Sequence, residues 1–165
     1  MPKRPIRADD LLRFVFVGDP QISPDGKRIL FGHKTINDKN KYVTNLFTVD
    51  TEGNLTQWTQ GSQSAGSGRW SPDGSRIAFV SKREGPSAQI HVIPTTGGEA
   101  KKLTSLPEGS IGGFKWSPDG SKIAFTFREQ VPYLTTTAKK EREEKGLSDP
   151  PIEIDDIWYR LDGDG

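Results

Sequence analysis

The chain contains no cysteine, which excludes disulfides, thiolate metal sites and a cysteine nucleophile. Histidine is almost as scarce: His33 and His91 are the only two. They stand in separate segments and share no close spacing, so they make a poor zinc pair and poor material for a Ser-His-Asp relay. Excess charge of one sign is lacking too. Lys and Arg number 23 against 22 Asp and Glu, giving a formal net charge of +1. No global basic field exists to capture nucleic acid. The longest apolar stretch, Leu11 to Val17, is interrupted by Arg13, far short of the roughly 20 apolar residues that cross a membrane. The opening Met1-Pro2-Lys3-Arg4-Pro5 is basic, but no apolar stretch follows it. These absences predict a cytoplasmic protein without nucleic-acid or membrane partners and without cofactor or metal.

What the chain has in quantity is glycine (18) and proline (12), alongside only 32% hydrophobic residues among its 165. That balance suits many short strands joined by tight turns. Three segments align without gaps: Gln21-Ile22-Ser23-Pro24-Asp25-Gly26-Lys27-Arg28-Ile29-Leu30-Phe31, then Arg69 to Phe79, then Lys115 to Phe125. Their serines lie 48 and 46 residues apart, a period that belongs to propeller blades. The shared S-P-D-G core reads as a hairpin turn. Proline presets φ, aspartate tolerates the next position, glycine accepts positive φ, and the serine hydroxyl is free to bond a turn amide. Beyond the turn, Ile77 and Phe79 share one strand face and Ala78 takes the other, which suits a strand covered on both sides.

A second hairpin follows in the first two repeats. Asn45–Asp50 and Leu55–Thr59 flank a glycine turn, as do Gln89–Ile93 and Ala100–Thr104. Two hairpins per repeat give a four-stranded blade. The fold class expected is therefore all-β: a partial, truncated β-propeller of four-stranded antiparallel blades with TolB- or WD40-like repeats. Residues 1–18 form a lead-in with a short helix, 19–66 the first blade and 67–110 the second. Residues 111–165 form an incomplete third blade, with an insertion over about 128–154. Within that insertion, Lys139 to Lys145 has opposite charges at i,i+4 spacing and predicts a short exposed helix closed by Gly146. Asp156 to Leu161 reads as the third blade's next strand.

The repeat, W-S-P-D-G-x-x-I-A-F followed by a Gly-Gly turn and Leu-Thr, resembles the TolB-type propeller repeat. It also resembles the N-terminal propeller of serine peptidases of the prolyl oligopeptidase family. Two segments are similar to the acylaminoacyl-peptidase branch: the lead-in Ala8 to Phe14 running into Gly18-Asp19-Pro20, and Trp158-Tyr159-Arg160-Leu161-Asp162-Gly163-Asp164-Gly165. The resemblance implies a seven-bladed propeller that covers a C-terminal α/β-hydrolase domain carrying a Ser-Asp-His triad and restricts entry to short peptides. It also implies an N-terminal helix with Leu11, Leu12, Phe14 and Val15 on its apolar side and Asp9 as N-cap. This chain has no Gly-x-Ser-x-Gly elbow. No catalytic residue is assigned, and the chain alone is expected to be inert. A non-enzymatic TolB-like interaction propeller is the alternative. Open blade edges also invite homo-oligomerisation.

The remaining polar residues fit structural roles. His33 and His91 read as strand residues. Asp25, Asp73 and Asp119 recur because the turn requires them. Arg28, Arg76 and Lys122 recur at one position and read as a solvated rim. Asp162-Gly163-Asp164-Gly165 matches only the start of a calcium loop and reads as a turn. Tyr159 and Arg160, in the branch-specific segment, are the candidates for contacts along a substrate path.

Overall fold

The computed structural model describes residues 4–5 and 7–151. The chain divides into two compact units between Gln130 and Val131.

The first unit opens with a 3-10 helix, Ala8–Arg13. Its first turn is held by Asp10, which accepts the backbone N–H of Arg7 at 2.8 Å and pairs with Arg4. The cap therefore falls on Arg7 and Asp10, and the expectation of Asp9 as N-cap is corrected. A 3-10 turn advances only three residues, so its stripe is narrow. Leu11, Leu12 and Phe14 are each at least half exposed.

Two antiparallel four-stranded sheets follow, each in simple chain order. The first comprises β1 (Phe16–Ile22), β2 (Arg28–Ile36), β3 (Tyr42–Asp50) and β4 (Leu55–Gln57). The second comprises β5 (Ala65–Trp70), β6 (Arg76–Ser81), β7 (Gln89–Pro94) and β8 (Lys101–Lys102). A third hairpin joins β9 (Gly109–Trp116) to β10 (Ile123–Glu129). The first strands start earlier than the blade limits of 19 and 67, at Phe16 and Ala65. The physical reason is that Asp19 and Ser67 sit in left-handed bulges within their strands and do not begin them. Likewise β10 extends to Glu129, and Gln130 N–H still donates to Glu108 O at 2.8 Å, so the hairpin runs past residue 128.

Each S-P-D-G is a hairpin turn with one bonding scheme. The glycines have φ of 72°, 71° and 68° and donate to the serine carbonyl at 2.9 Å. The serine Oγ accepts from the backbone N–H five residues on, at 2.9 Å, and donates to the aspartate Oδ1 at 2.5 Å. The aspartate also accepts the N–H two residues ahead of it, an Asx turn.

Two apolar clusters lie between neighbouring sheets. Leu30 and Leu46 of the first sheet pack with Trp70, Ile77, Phe79 and Ile93 of the second. Ala78 and Ile90, on the opposite face of the second sheet, pack with Phe114 of the third hairpin. Ile77, Ala78 and Phe79 are each fully buried, so β6 is covered on both faces. Gly68 permits the first of these approaches: a Cβ there would come within 2.9 Å of Leu30 Cδ2.

The recurrent arginines are not a solvated rim. Arg28 lies over the Trp70 ring at 5.0 Å, and Arg76 over Trp116 at 4.9 Å. Each thus reaches from one repeat to the aromatic residue of the next. Arg76 Nη2 also donates to Gly120 O at 3.0 Å. The guanidinium has a flat aromatic partner across the seam, which suits it better than the already saturated turn acids.

The second unit holds a 3-10 turn, Pro132–Leu134, and α1 (Thr136–Glu144). Thr135 Oγ1 caps α1 by accepting Ala138 N–H at 3.2 Å. Gly146 ends it with φ of 63°, and Leu147 N–H returns to Arg142 O at 2.9 Å. Of the charge pairs read from sequence, Lys140–Glu144 stands at 3.9 Å.

Candidate functional site

The first strands of successive repeats are tied to one another. Trp70 Nε1 donates to Gln21 O at 3.1 Å, and Trp116 Nε1 to Arg69 O at 3.3 Å. Gln21 and Arg69 occupy the same repeat position, so one device is used twice. Between them Arg69 Nη1 pairs with Asp19 Oδ2 at 2.7 Å. Asp19 and Ser67 have φ of 52° and 53°, a backbone state that costs a side-chain-bearing residue about 1–2 kcal/mol. Both bulges border a cleft of about 240 Å³ lined also by Phe16, Val17, Lys34 and Gly66. This cleft offers a carboxylate, an ammonium and a hydroxyl against an apolar and glycine-rich wall. Such an arrangement can hold a peptide. It has no nucleophile with an adjacent base, so it supports binding and not bond cleavage.

Neither histidine lines the cleft. His33, on β2, has its ring 4.7 Å from that of Phe47. His91, on β7, is fully buried and stacks on Phe79 at 5.5 Å. Its Nδ1 lies 3.2 Å from Gln89 O, and its Nε2 faces Glu84 Oε1 at 3.5 Å without a good hydrogen bond. Glu84 is drawn off by Lys102, 3.0 Å from its other oxygen. Burial pushes the His91 imidazole below its ordinary value, and nearby Arg83 adds to this. The sign follows. The unfolded chain takes up its proton near pH 6.5, before the folded one does. Stability is full above that pH and falls as pH drops through it. His91→Phe is expected to flatten the fall in melting temperature between about pH 7 and 5. A variant with the wild-type slope would refute the assignment.

The three turn aspartates sit in separate hairpins. The Ser23 hydroxyl holds Asp25 below the usual carboxylate range, and the Ser71 hydroxyl does the same for Asp73. Asp119 is lowered to about 2, chiefly by Ser117. These shifts come from turn bonding and not from a shared proton. Among the described residues, no group of three or more His, Cys, Asp or Glu could hold a metal ion. No helix there is long and apolar enough to cross a membrane. Tyr159, Arg160, the Asp156–Leu161 strand and the Asp162–Gly165 turn lie outside the described residues. What sequence reasoning missed is the arginine–tryptophan seam. Its signal was present, since each repeat carries the cation and the next carries the indole.

Comparison with known proteins agrees with this geometry. A family model described as the TolB beta propeller domain matches residues 14–152. The chain belongs to the TolB beta propeller domain family. Along 99% of its length this TolB-type chain is 38% identical to the peptidase YuxL of Bacillus subtilis, and it spans 24% of that protein. Among solved structures, the acylaminoacyl peptidase of Pyrococcus horikoshii superposes with a TM-score of 0.61 at 24% identity, covering 76% of this chain and 20% of the peptidase. That match speaks for the fold alone. A TolB protein of Agrobacterium tumefaciens gives a TM-score of 0.54 at 29% identity, over 66% of this chain and 37% of its own. The TolB-type propeller is thus shared by peptidases and by TolB proteins.

Proposed function

We propose that this propeller segment belongs to a serine peptidase resembling acylaminoacyl peptidases, and that it gates the access of short peptides to an α/β-hydrolase domain outside this chain. The observation that carries the reading is the 38% identity to the peptidase YuxL across 99% of the chain. The bulged first strands border a cleft in which Asp19, Lys34 and Ser67 offer polar groups that a passing peptide would meet. Bond cleavage is left to the hydrolase domain. Labelling with a fluorophosphonate probe tests the first half: a larger protein carrying this N-terminus takes the label, and the 165-residue chain alone does not. The gating half is tested in that larger protein. Asp19→Ala together with Arg69→Ala removes the ion pair linking the first two repeats. Cleavage of long peptides relative to short ones is expected to rise at least about threefold, a change of under 1 kcal/mol. An unchanged ratio in the folded variant refutes gating.

The alternative, a non-enzymatic TolB-like propeller that binds a protein segment, is favoured by the 29% identity to the Agrobacterium TolB protein. Absence of any labelled protein carrying this N-terminus, with a control hydrolase labelled, decides for it.

A further inference from the structure

We infer that the loop between β6 and β7, residues 82–88, is a pH-sensitive strap: a proton taken up at His91 draws Glu84 in and drives Arg83 out, and so reshapes the groove that the loop borders. The repeat supplies the comparison. His91 pairs with Phe79 across β6 and β7, and Phe47 pairs with Phe31 at the same place in the first sheet. Both pairs stack, at 6.2 Å for the two phenylalanines and 5.5 Å for Phe79 and His91. An apolar ring therefore serves for packing at this position, and the second repeat puts a titratable ring there. The loops differ too. In the first repeat Asn37 Oδ1 accepts the N–H of Lys39 and of Lys41, and Asn37 N–H donates to Lys41 O at 2.9 Å. In the second, the turn is closed by a longer bond, from Gly85 N–H to Lys82 O at 3.3 Å, with Gly85 at φ 141°, a backbone state that glycine adopts readily.

The charges of the strap converge on one buried ring. His91 Nδ1 lies 3.2 Å from Gln89 O, so this nitrogen carries the hydrogen and Nε2 holds the lone pair. Nε2 is buried without a hydrogen bond and faces the Glu84 carboxylate at 3.5 Å. Acceptor meets acceptor there until a proton arrives from solvent; then an N–H of an imidazolium meets a carboxylate, and the two attract. Glu84 is ready as an anion, because Lys102, 3.0 Å away, holds it below its ordinary value. Arg83 lies over the Phe79 ring at 5.2 Å, beside the imidazole that stacks on the same ring, so a charge on His91 repels it. Burial first, and then Arg83, lower the imidazole, while Gln89 O and Glu84 raise it. From the first sheet this face receives Leu30, Leu46 and Trp58, which carry no charge. The loop's ends, Lys82 and Ala88, border a groove of about 530 Å³ lined also by Asn37, Lys41 and Tyr42, and Lys41 and Lys82 supply its charge. A loop that moves with the proton carries its effect to that groove. Both sheets that enclose His91 lie wholly within the described residues, and the strap does not depend on a hydrolase partner.

The test is a pH titration of the nitrogen-15-labelled 165-residue chain, followed by NMR from about pH 7.5 to about pH 5. The His91 ring is expected to titrate, and the amides of Arg83, Glu84 and Gly85 to shift with the same midpoint, while those of Leu30 and Phe114 hold still. Glu84→Gln is expected to weaken proton binding at His91 about twofold or more, which lowers the midpoint. Arg83→Gln is expected to strengthen it by about the same factor, which raises the midpoint. A loop with a merely structural role would not give shifts of opposite sign. In His91→Phe, which copies the Phe31–Phe47 pair, the loop amides should no longer move over this range. A ring that stays neutral down to about pH 5, loop amides with a different midpoint, shifts of one sign in the two loop variants, or a loop titration that survives in His91→Phe overturns the strap. So does the simultaneous loss of all amide signals, because that is global unfolding and not a local change.

Discussion

Trp70→Ala is expected to remove about 3–5 kcal/mol of stability, the range for deleting a buried aromatic side chain. Urea denaturation of the chain measures the loss. The indole has three attachments, and each reaches into the neighbouring repeat, the third also packing on Ile77 of its own sheet. Its face carries Arg28 at 5.0 Å, its Nε1 bonds Gln21 O at 3.1 Å, and its body packs with Leu30, Leu46 and Ile77. Only 9% of its surface is exposed, so solvent cannot replace these contacts. Native domains hold roughly 5–15 kcal/mol in reserve, and the substitution consumes a large share of it. Trp70→Phe separates the terms: it keeps an aromatic face for Arg28 and most of the packing, and loses the bond to Gln21. It should cost about 1 kcal/mol. A loss below about 1.5 kcal/mol for Trp70→Ala would show that the seam is not where the first two sheets cohere.

The same tryptophan shows what sequence could and could not reveal. The repeat, its turn and the alternation around it were legible because they are local: Pro, Asp and Gly at fixed offsets dictate a hairpin whatever surrounds them. Burial of β6 on both faces was legible from Ile77-Ala78-Phe79 for the same reason. Across the repeat, meaning is assigned by the partner. Arg28 and Arg76 beside acidic turns look like surface charge until Trp70 and Trp116 arrive from the following repeat. The bulges at Asp19 and Ser67 were hidden as well, because neither residue type announces positive φ. The cleft between those bulges depends on the register of two strands almost fifty residues apart, which no local pattern encodes. Trp58 and Leu103 align in sequence as ordinary strand-end hydrophobes. Only the packed seam shows that Trp58 lies against a core cluster.

Ser71→Ala is expected to cost about 1–3 kcal/mol, the penalty for orphaning a buried donor, whereas Ser117→Ala in the same motif should cost well under 1 kcal/mol, as surface changes do. Both hydroxyls accept a backbone N–H at 2.9 Å and donate to the motif aspartate at 2.5 Å, so the same two bonds are removed, and Ser117 loses in addition a contact with Lys122 O at 3.1 Å. The surroundings differ. Ser71 is fully buried, so removing its hydroxyl leaves the N–H of Arg76 without its partner in a place shielded from solvent. Ser117 keeps its bonds in an exposed turn where water substitutes. An acid titration adds a second readout. Asp73 is held well below its ordinary range first by the Ser71 hydroxyl and then by Ser75. A depressed carboxyl contributes stability above its unfolded value near pH 3.9 and loses it as pH falls toward the folded one. Ser71→Ala removes the principal cause, so the variant should be less stable at neutral pH yet lose less of its remaining stability on going from about pH 5 to 3. Equal losses for the two serine variants would mean that the turn's hydrogen bonds contribute alike wherever they lie, and that the seam adds nothing to the motif it covers.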